Sequence, residues 1–193
     1  MTSLIPIGSE FDDLFRTFTN RAYRLETLQS YGSPDEDAAY AAFLAGVDFD
    51  LDPENDWWVT DVVRPAAAAG RSMSRVHVVR EPLTDYLRYE LTWAYAPNVD
   101  AGEDVRIIPL AANDPWPADL PENHDYWLLD DRLYEMVYAD DERRSWLGSR
   151  LVDDPTRLAQ AEAWRETALD RGIPWRDYVS ARPELAVHLP VAS

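Results

Sequence analysis

The stretch 71–110, RSMSRVHVVREPLTDYLRYELTWAYAPNVDAGEDVRIIPL, decides the fold. Residues 73–80 set Val76, Val78 and Val79 around His77, a β-branched run that Pro82 ends. Leu83, Tyr86, Leu87, Glu90, Leu91 and Ala94 then recur at three- and four-residue spacing, which predicts a helix up to Pro97. Gly102 leads into a second strand over 104–110 through Val105, Ile107 and Ile108. A strand, a helix of about a dozen residues and a strand form a crossover unit, whose strands pair in parallel and whose hand is right.

Working outward, Phe11, Leu14, Phe15, Phe18, Ala22, Leu25 and Leu28 keep helical spacing. Ser9 stands as N-cap and Gly32 as stop. Pro34 opens a second predicted helix that ends at Gly46, so a helical hairpin is expected over 9–46. Residues 47–55 carry Asp48, Asp50, Asp52, Glu54 and one proline and read as a solvated linker. A third helix, kinked at Pro65, is expected over 57–69. Downstream, 113–123 is a proline-rich loop, and Tyr126 to Leu129 and Leu133 to Tyr138 form a hairpin about Asp130 and Asp131. Asp154 and Pro155 open a long helix closed by Gly172, a further turn follows over 173–178, and 188–193 reads as a frayed tail. The expected fold is α/β (mixed α+β): a small mixed sheet with a βαβ crossover and a hairpin, flanked by helices at both ends. The expected organisation is one domain over 1–193, with the helical hairpin at 9–46, a sheet-containing core at 57–139 and C-terminal helices at 154–178.

The chain has 193 residues, 46% hydrophobic, with 8 Trp and 10 Tyr, a composition that folds. Its net charge of -18 removes the basic surface of an ordinary nucleic-acid binder and points to a basic partner. Cysteine is absent, which excludes thiolate nucleophiles, disulfides and thiolate metal sites. Lysine is absent too, so all 18 bases are Arg; Schiff-base chemistry and a Walker-type phosphate lysine are excluded. No apolar run approaches the roughly 18 residues of a membrane span and the first residues carry no basic leader, so a cytoplasmic location without membrane attachment is expected.

Few motifs carry chemistry. The D-x-D-x-D start at Asp48 lacks the glycine and the distal Glu of a calcium loop, since Pro53 and Val59 stand there. His77, His124 and His188 share no helical spacing, so no metal face, cofactor or catalytic set is read. Strand alternation puts Arg75, His77 and Val79 on one face and Arg80 on the other. Arg75, Arg80, Tyr86, Arg88, Glu90, Arg106 and Asp130 are the candidate ligand-binding residues, because arginine on a covered sheet needs a carboxylate or a ligand anion. Trp116, between Pro115 and Pro117, is the candidate contact residue for a partner.

The strings NRAYRLET (20–27), GRSMSRVHVV (70–79), PLTDYLRYEL (82–91), AGEDVRIIP (101–109) and DYWLLDD (125–131) resemble a large actinobacterial domain family of unknown function, often encoded beside helix-turn-helix regulators. The resemblance implies a regulatory role and assigns no catalytic residue. The order of elements also looks like half of a phospholipase D-like fold without its catalytic residues. Together these readings lead to the expectation of a non-enzymatic regulatory or interaction protein that binds a basic partner, such as a helix-turn-helix transcriptional regulator, without touching nucleic acid directly. The alternative is an enzyme or sensor that binds an anionic small molecule in an arginine-lined pocket at the sheet. A third reading is a DNA mimic built from rows of carboxylates.

Overall fold

A strand, β2 (Arg21–Glu26), occupies the middle of the sheet at the place where apolar spacing predicts a helix. The computed structural model describes residues 3–49 and 52–186. Among these, eight strands form one mixed sheet in the order β1-β7-β6-β5-β2-β3-β4-β8. They are β1 (Leu4–Pro6), β2, β3 (Ser72–Arg80), β4 (Asp104–Leu110), β5 (Tyr126–Leu129), β6 (Arg132–Tyr138), β7 (Trp146–Val152) and β8 (Ile173–Pro174). The fold class is α+β as expected. The crossover is also as expected in its pairing, since β3 runs parallel to β4 and also to β2.

The expected helical hairpin over 9–46 is replaced by helix α1 (Ser9–Thr17), strand β2 and helix α2 (Asp37–Ala45). The break is made by Asp130. It sits in the β5–β6 turn with φ 54, and its carboxylate accepts from the backbone N–H groups of Thr19, Asn20 and Arg21 at 2.7–3.1 Å. Those amides are therefore unavailable to a continuing helix. Beyond them the chain pairs with β3 on one side and β5 on the other. Tyr23, Arg24, Leu25 and Glu26 do alternate as a strand, Tyr23 and Leu25 toward α6 and Arg24 and Glu26 toward the roofed face, but Ala22 and Leu25 also continue the helical spacing of Phe11 to Phe18, and that longer pattern masks the short strand.

Alternation divides the sheet into two faces. Tyr23, Leu25, Val76, Val78, Ile108 and Leu128 pack with Ala161 and Ala168 of helix α6 (Pro155–Arg171), which the Asp154 side chain caps through the N–H of Thr156. Ala22, Met73, Trp127 and Leu129 face the opposite way, against Phe11 and Phe15 of α1 and Val62 and Val63. The second face is roofed by the helical run Trp58–Val63 continuing through α3 (Arg64–Ala68), and by the crossover from α4 (Asp85–Tyr89) to α5 (Tyr95–Ala101). Helix α7 (Trp175–Ser180) and helix α8 (Pro183–Ala186) close the β4 end, where Trp175 and Tyr178 pack with Leu87 and Leu91. Two of these roof segments, Trp58–Val63 and Glu90–Ala94, are π-helical. Through the wider turn at 90–94, closed by Tyr95 N–H to Glu90 O, the crossover helix passes Pro97 and ends at Gly102 rather than stopping at the proline.

Strands β1 and β7 carry no predicted counterpart. Gly148 at φ 142 lets β1 lie against β7, since a Cβ there would stand 2.3 Å from the Ile5 carbonyl oxygen. The acidic stretch expected as a linker is described only in part, because Asp50 and Leu51 lie outside the described residues; Asp52 makes a turn with the N–H of Glu54. The expected tail at 188–193, with His188, also lies outside them. No described helix is long and apolar enough to cross a membrane.

Candidate functional site

The β2–β3 register sets Arg24 beside Arg75 and Glu26 beside His77, all four pointing to the roofed face. Two guanidiniums side by side in a protein interior demand carboxylates. Glu26 supplies one between them: Arg24 Nε donates to its Oε1 at 2.7 Å and Arg75 Nη1 donates to both oxygens at 3.0 and 3.2 Å. Arg75 Nε also donates to Glu103 at 3.0 Å. Both guanidiniums lie over the Trp127 ring, at 5.3 and 5.8 Å. Burial opposes the Glu26 charge, but Arg75, Arg24 and His77 outweigh it and hold this carboxyl down at about 2. Next to Arg24, Asp125 accepts from Thr27 N–H and Oγ1, Tyr31 Oη at 2.6 Å and Tyr138 Oη at 2.9 Å.

His77 is completely buried, and its proton count is set by its neighbours. Its Nε2 lies 2.8 Å from the Leu28 carbonyl, which can only accept, so Nε2 carries a proton. Tyr95 Oη donates its single proton to Glu26 at 2.8 Å, and so accepts from His77 Nδ1 at 2.9 Å. Both ring nitrogens are therefore protonated, and His77 is an imidazolium. Burial opposes this charge, but Glu90, whose Oε2 lies 3.0 Å from Nδ1, and Glu26 outweigh it and push His77 up to about 9. Ligand atoms of Glu26, His77 and Glu90, which lie on three separate elements, fall within 4.8 Å of one another, the spacing of a metal's donor set. Here the proton on Nδ1 holds the place a cation would take.

Above this floor opens a cavity of about 730 Å³. Its lining includes Arg24, Glu26, Arg75 and Glu90 at the floor and two groups of rings at the sides. Tyr31, Tyr86, Tyr89 and Trp93 form one, with successive centroids 5.7–6.3 Å apart. Phe15, Trp57, Trp58 and Trp127 form the other, at 4.7–5.7 Å. Glu36, from the turn before α2, accepts from Tyr86 Oη at 2.7 Å; burial and then the nearby Glu90 push its carboxyl up to about 7. Asp12, Asp35, Asp52 and Asp56 also line the cavity. Both π-helical segments border it, one through Trp58 and the other through Glu90 and Trp93. Wide helical turns of this kind concentrate at functional sites.

Of the residues expected to bind a ligand, Arg75, Tyr86 and Glu90 meet in this cavity. The other four do not join them. Arg80 donates to the carbonyls of Ala111 and Asp114, Arg88 is exposed on α4, and Arg106 lies on the α6 face paired with Asp104 and the Leu169 carbonyl. Asp130 is spent on the backbone turn described above. Trp116 is half-buried against the α6-side core and donates to the Pro121 carbonyl at 2.9 Å, so it packs on its own chain. Arg24, Glu26 and Glu36 were missed because they were read into the helical hairpin.

A family model matches residues 9–180, over most of the chain. The chain belongs to DUF6879, a domain family of unknown function. No curated protein matches this DUF6879 chain. Among solved structures it is similar to TrmBL2, an archaeal chromatin protein described with a novel mode of DNA binding, at 8% identity and a TM-score of 0.42, covering 86% of this chain. The DUF6879 chain spans 49% of that protein's length.

Proposed function

We propose that this DUF6879 domain is a ligand-binding module, a sensor rather than a scaffold, and that its site is the cavity over β2 and β3. One observation carries the reading: a roofed space of about 730 Å³, within the range of small-molecule sites, whose floor is a buried ionic network and whose walls are aromatic. A space that served packing alone would be filled by side chains, and burying charge beneath it costs stability that packing does not require. The test is mass spectrometry of small molecules released on denaturation from the protein purified under native conditions. A stoichiometric compound lost in a Trp58→Ala variant supports the reading. Absence of any released compound, together with a flat thermal-shift response to amines, carboxylates and nucleotides, contradicts it.

A second reading, an interaction protein for a basic partner such as a helix-turn-helix regulator, is favoured by the net charge of -18 and by Asp12, Asp35, Asp52 and Asp56 at the cavity. It requires an association that weakens steeply between low and physiological salt. Salt-insensitive association, or none, removes it.

A further inference from the structure

We infer that the cavity takes a small organic cation, an ammonium or guanidinium carried on a flat apolar body, with its charge seated beside Glu36 and Glu90. This inference rests on the cavity being a ligand site and adds the chemical class of the ligand. The arginines that would attract an anion are already engaged: Arg24 by Glu26 and Tyr138, Arg75 by Glu26 and Glu103. What the floor lacks is positive charge. Arg24, Arg75 and His77 face the four carboxylates of Glu26, Glu90, Glu103 and Asp125, and the carboxyl of Glu36, held by Tyr86 Oη, lines the same cavity.

One buried acceptor is left open. Glu90 is 2% exposed and lines the cavity, and its Oε2, in ionic contact with His77 Nδ1 at 3.0 Å, has no other polar partner. A buried carboxylate oxygen left in that state is costly, and a ligand N–H is the group that satisfies it. The rings of Tyr31, Tyr86, Tyr89 and Trp93 line the same cavity, and aromatic rings attract cations and pack against flat apolar groups.

The test is calorimetric titration of the full chain with three indoles of matched shape: tryptamine, tryptophol and indole-3-acetate. Tryptamine is expected to bind at least about tenfold more tightly than either of the others. Glu90→Gln and Glu36→Gln are each expected to remove most of that preference, and Arg106→Ala, on the far face, to leave it intact. Glu36 is half-buried and outside the ionic network of Arg24, Arg75 and His77, so Glu36→Gln keeps the test decisive if Glu90→Gln fails to fold. Equal binding of the three, or preference for indole-3-acetate, overturns the cation and leaves the cavity as a ligand site. Failure of tryptamine, agmatine and choline alike to bind also overturns it, while the released-compound experiment judges the cavity separately.

Discussion

His77 Nδ1 lies 3.0 Å from Glu90 Oε2, joining the middle of β3 to the π turn of the crossover helix by charge across the floor of a cavity. The strand supplies a cation with no solvent contact, and the irregular turn supplies a carboxylate oxygen that hydrogen bonding leaves open.

The imidazolium makes stability fall on the alkaline side. His77 is raised from 6.5 to about 9, so its contribution is fully present below pH 6.5 and is lost as pH rises through 9. The loss is on the order of 3 kcal/mol for a fully buried ring. Denaturant unfolding between pH 6 and 9.5 measures it, and His77→Gln is expected to flatten that profile. Zinc or manganese at pH 7 is expected to leave the melting temperature unchanged, because the proton on Nδ1 occupies the centre of the only His-containing donor set among the described residues.

Glu36 acts in a lower window. Its carboxyl is raised from 4.5 to about 7 by burial and then by Glu90, with Glu26 adding to this and Arg75 and the Tyr86 hydrogen bond opposing. Its contribution is therefore present below pH 4.5 and lost as pH rises through 7. Glu36→Gln is expected to stabilise the unliganded protein above pH 7, read as a higher denaturation midpoint, and to weaken cation binding in the same sample.

Arg75→Ala strands Glu103 in the interior, takes from Glu26 one of its two guanidinium partners, and is expected to cost about 3–5 kcal/mol. Arg106→Ala, paired with a half-exposed Asp104, is expected to cost less than about 1 kcal/mol. Equal costs by urea denaturation would contradict the placement of the buried network on the β2–β3 face.

Asp130→Ala removes the acceptor for three amides ahead of β2 and is expected to destabilise by about 1–3 kcal/mol without changing ligand affinity. A variant that binds tryptamine more weakly at unchanged stability would return Asp130 to the site.

The strand, helix and strand over 71–110 were legible because their apolar residues keep one period at a time and glycine or proline marks each end. Helix α6 was legible for the same reason, with Asp154 as its cap. β2 was not, since its alternation spans only Tyr23 to Glu26 and its apolar residues also prolong the helical spacing that begins at Phe11. The π turns at 58–63 and 90–94 leave no mark in hydropathy, though they carry Trp58 and Glu90 to the cavity. β7 went unread because Leu147 is exposed and Gly148 interrupts the run. Of the residues around the candidate cavity, Arg75, Tyr86 and Glu90 stood out as charge and hydroxyl on a predicted crossover, while Arg24, Glu26 and Glu36 were absorbed into predicted helices. Their signal was in the text all the same, as the R-x-E of NRAYRLET facing the R-x-H of GRSMSRVHVV.

The most direct test of a cation-binding cavity is a crystal structure of the protein grown with tryptamine. The expected result is the indole between the two groups of rings, with its ammonium about 3 Å from a carboxylate oxygen of Glu36 or Glu90. Tryptamine bound elsewhere with the cavity unchanged, or bound in it with its ammonium turned to solvent, would contradict the assignment.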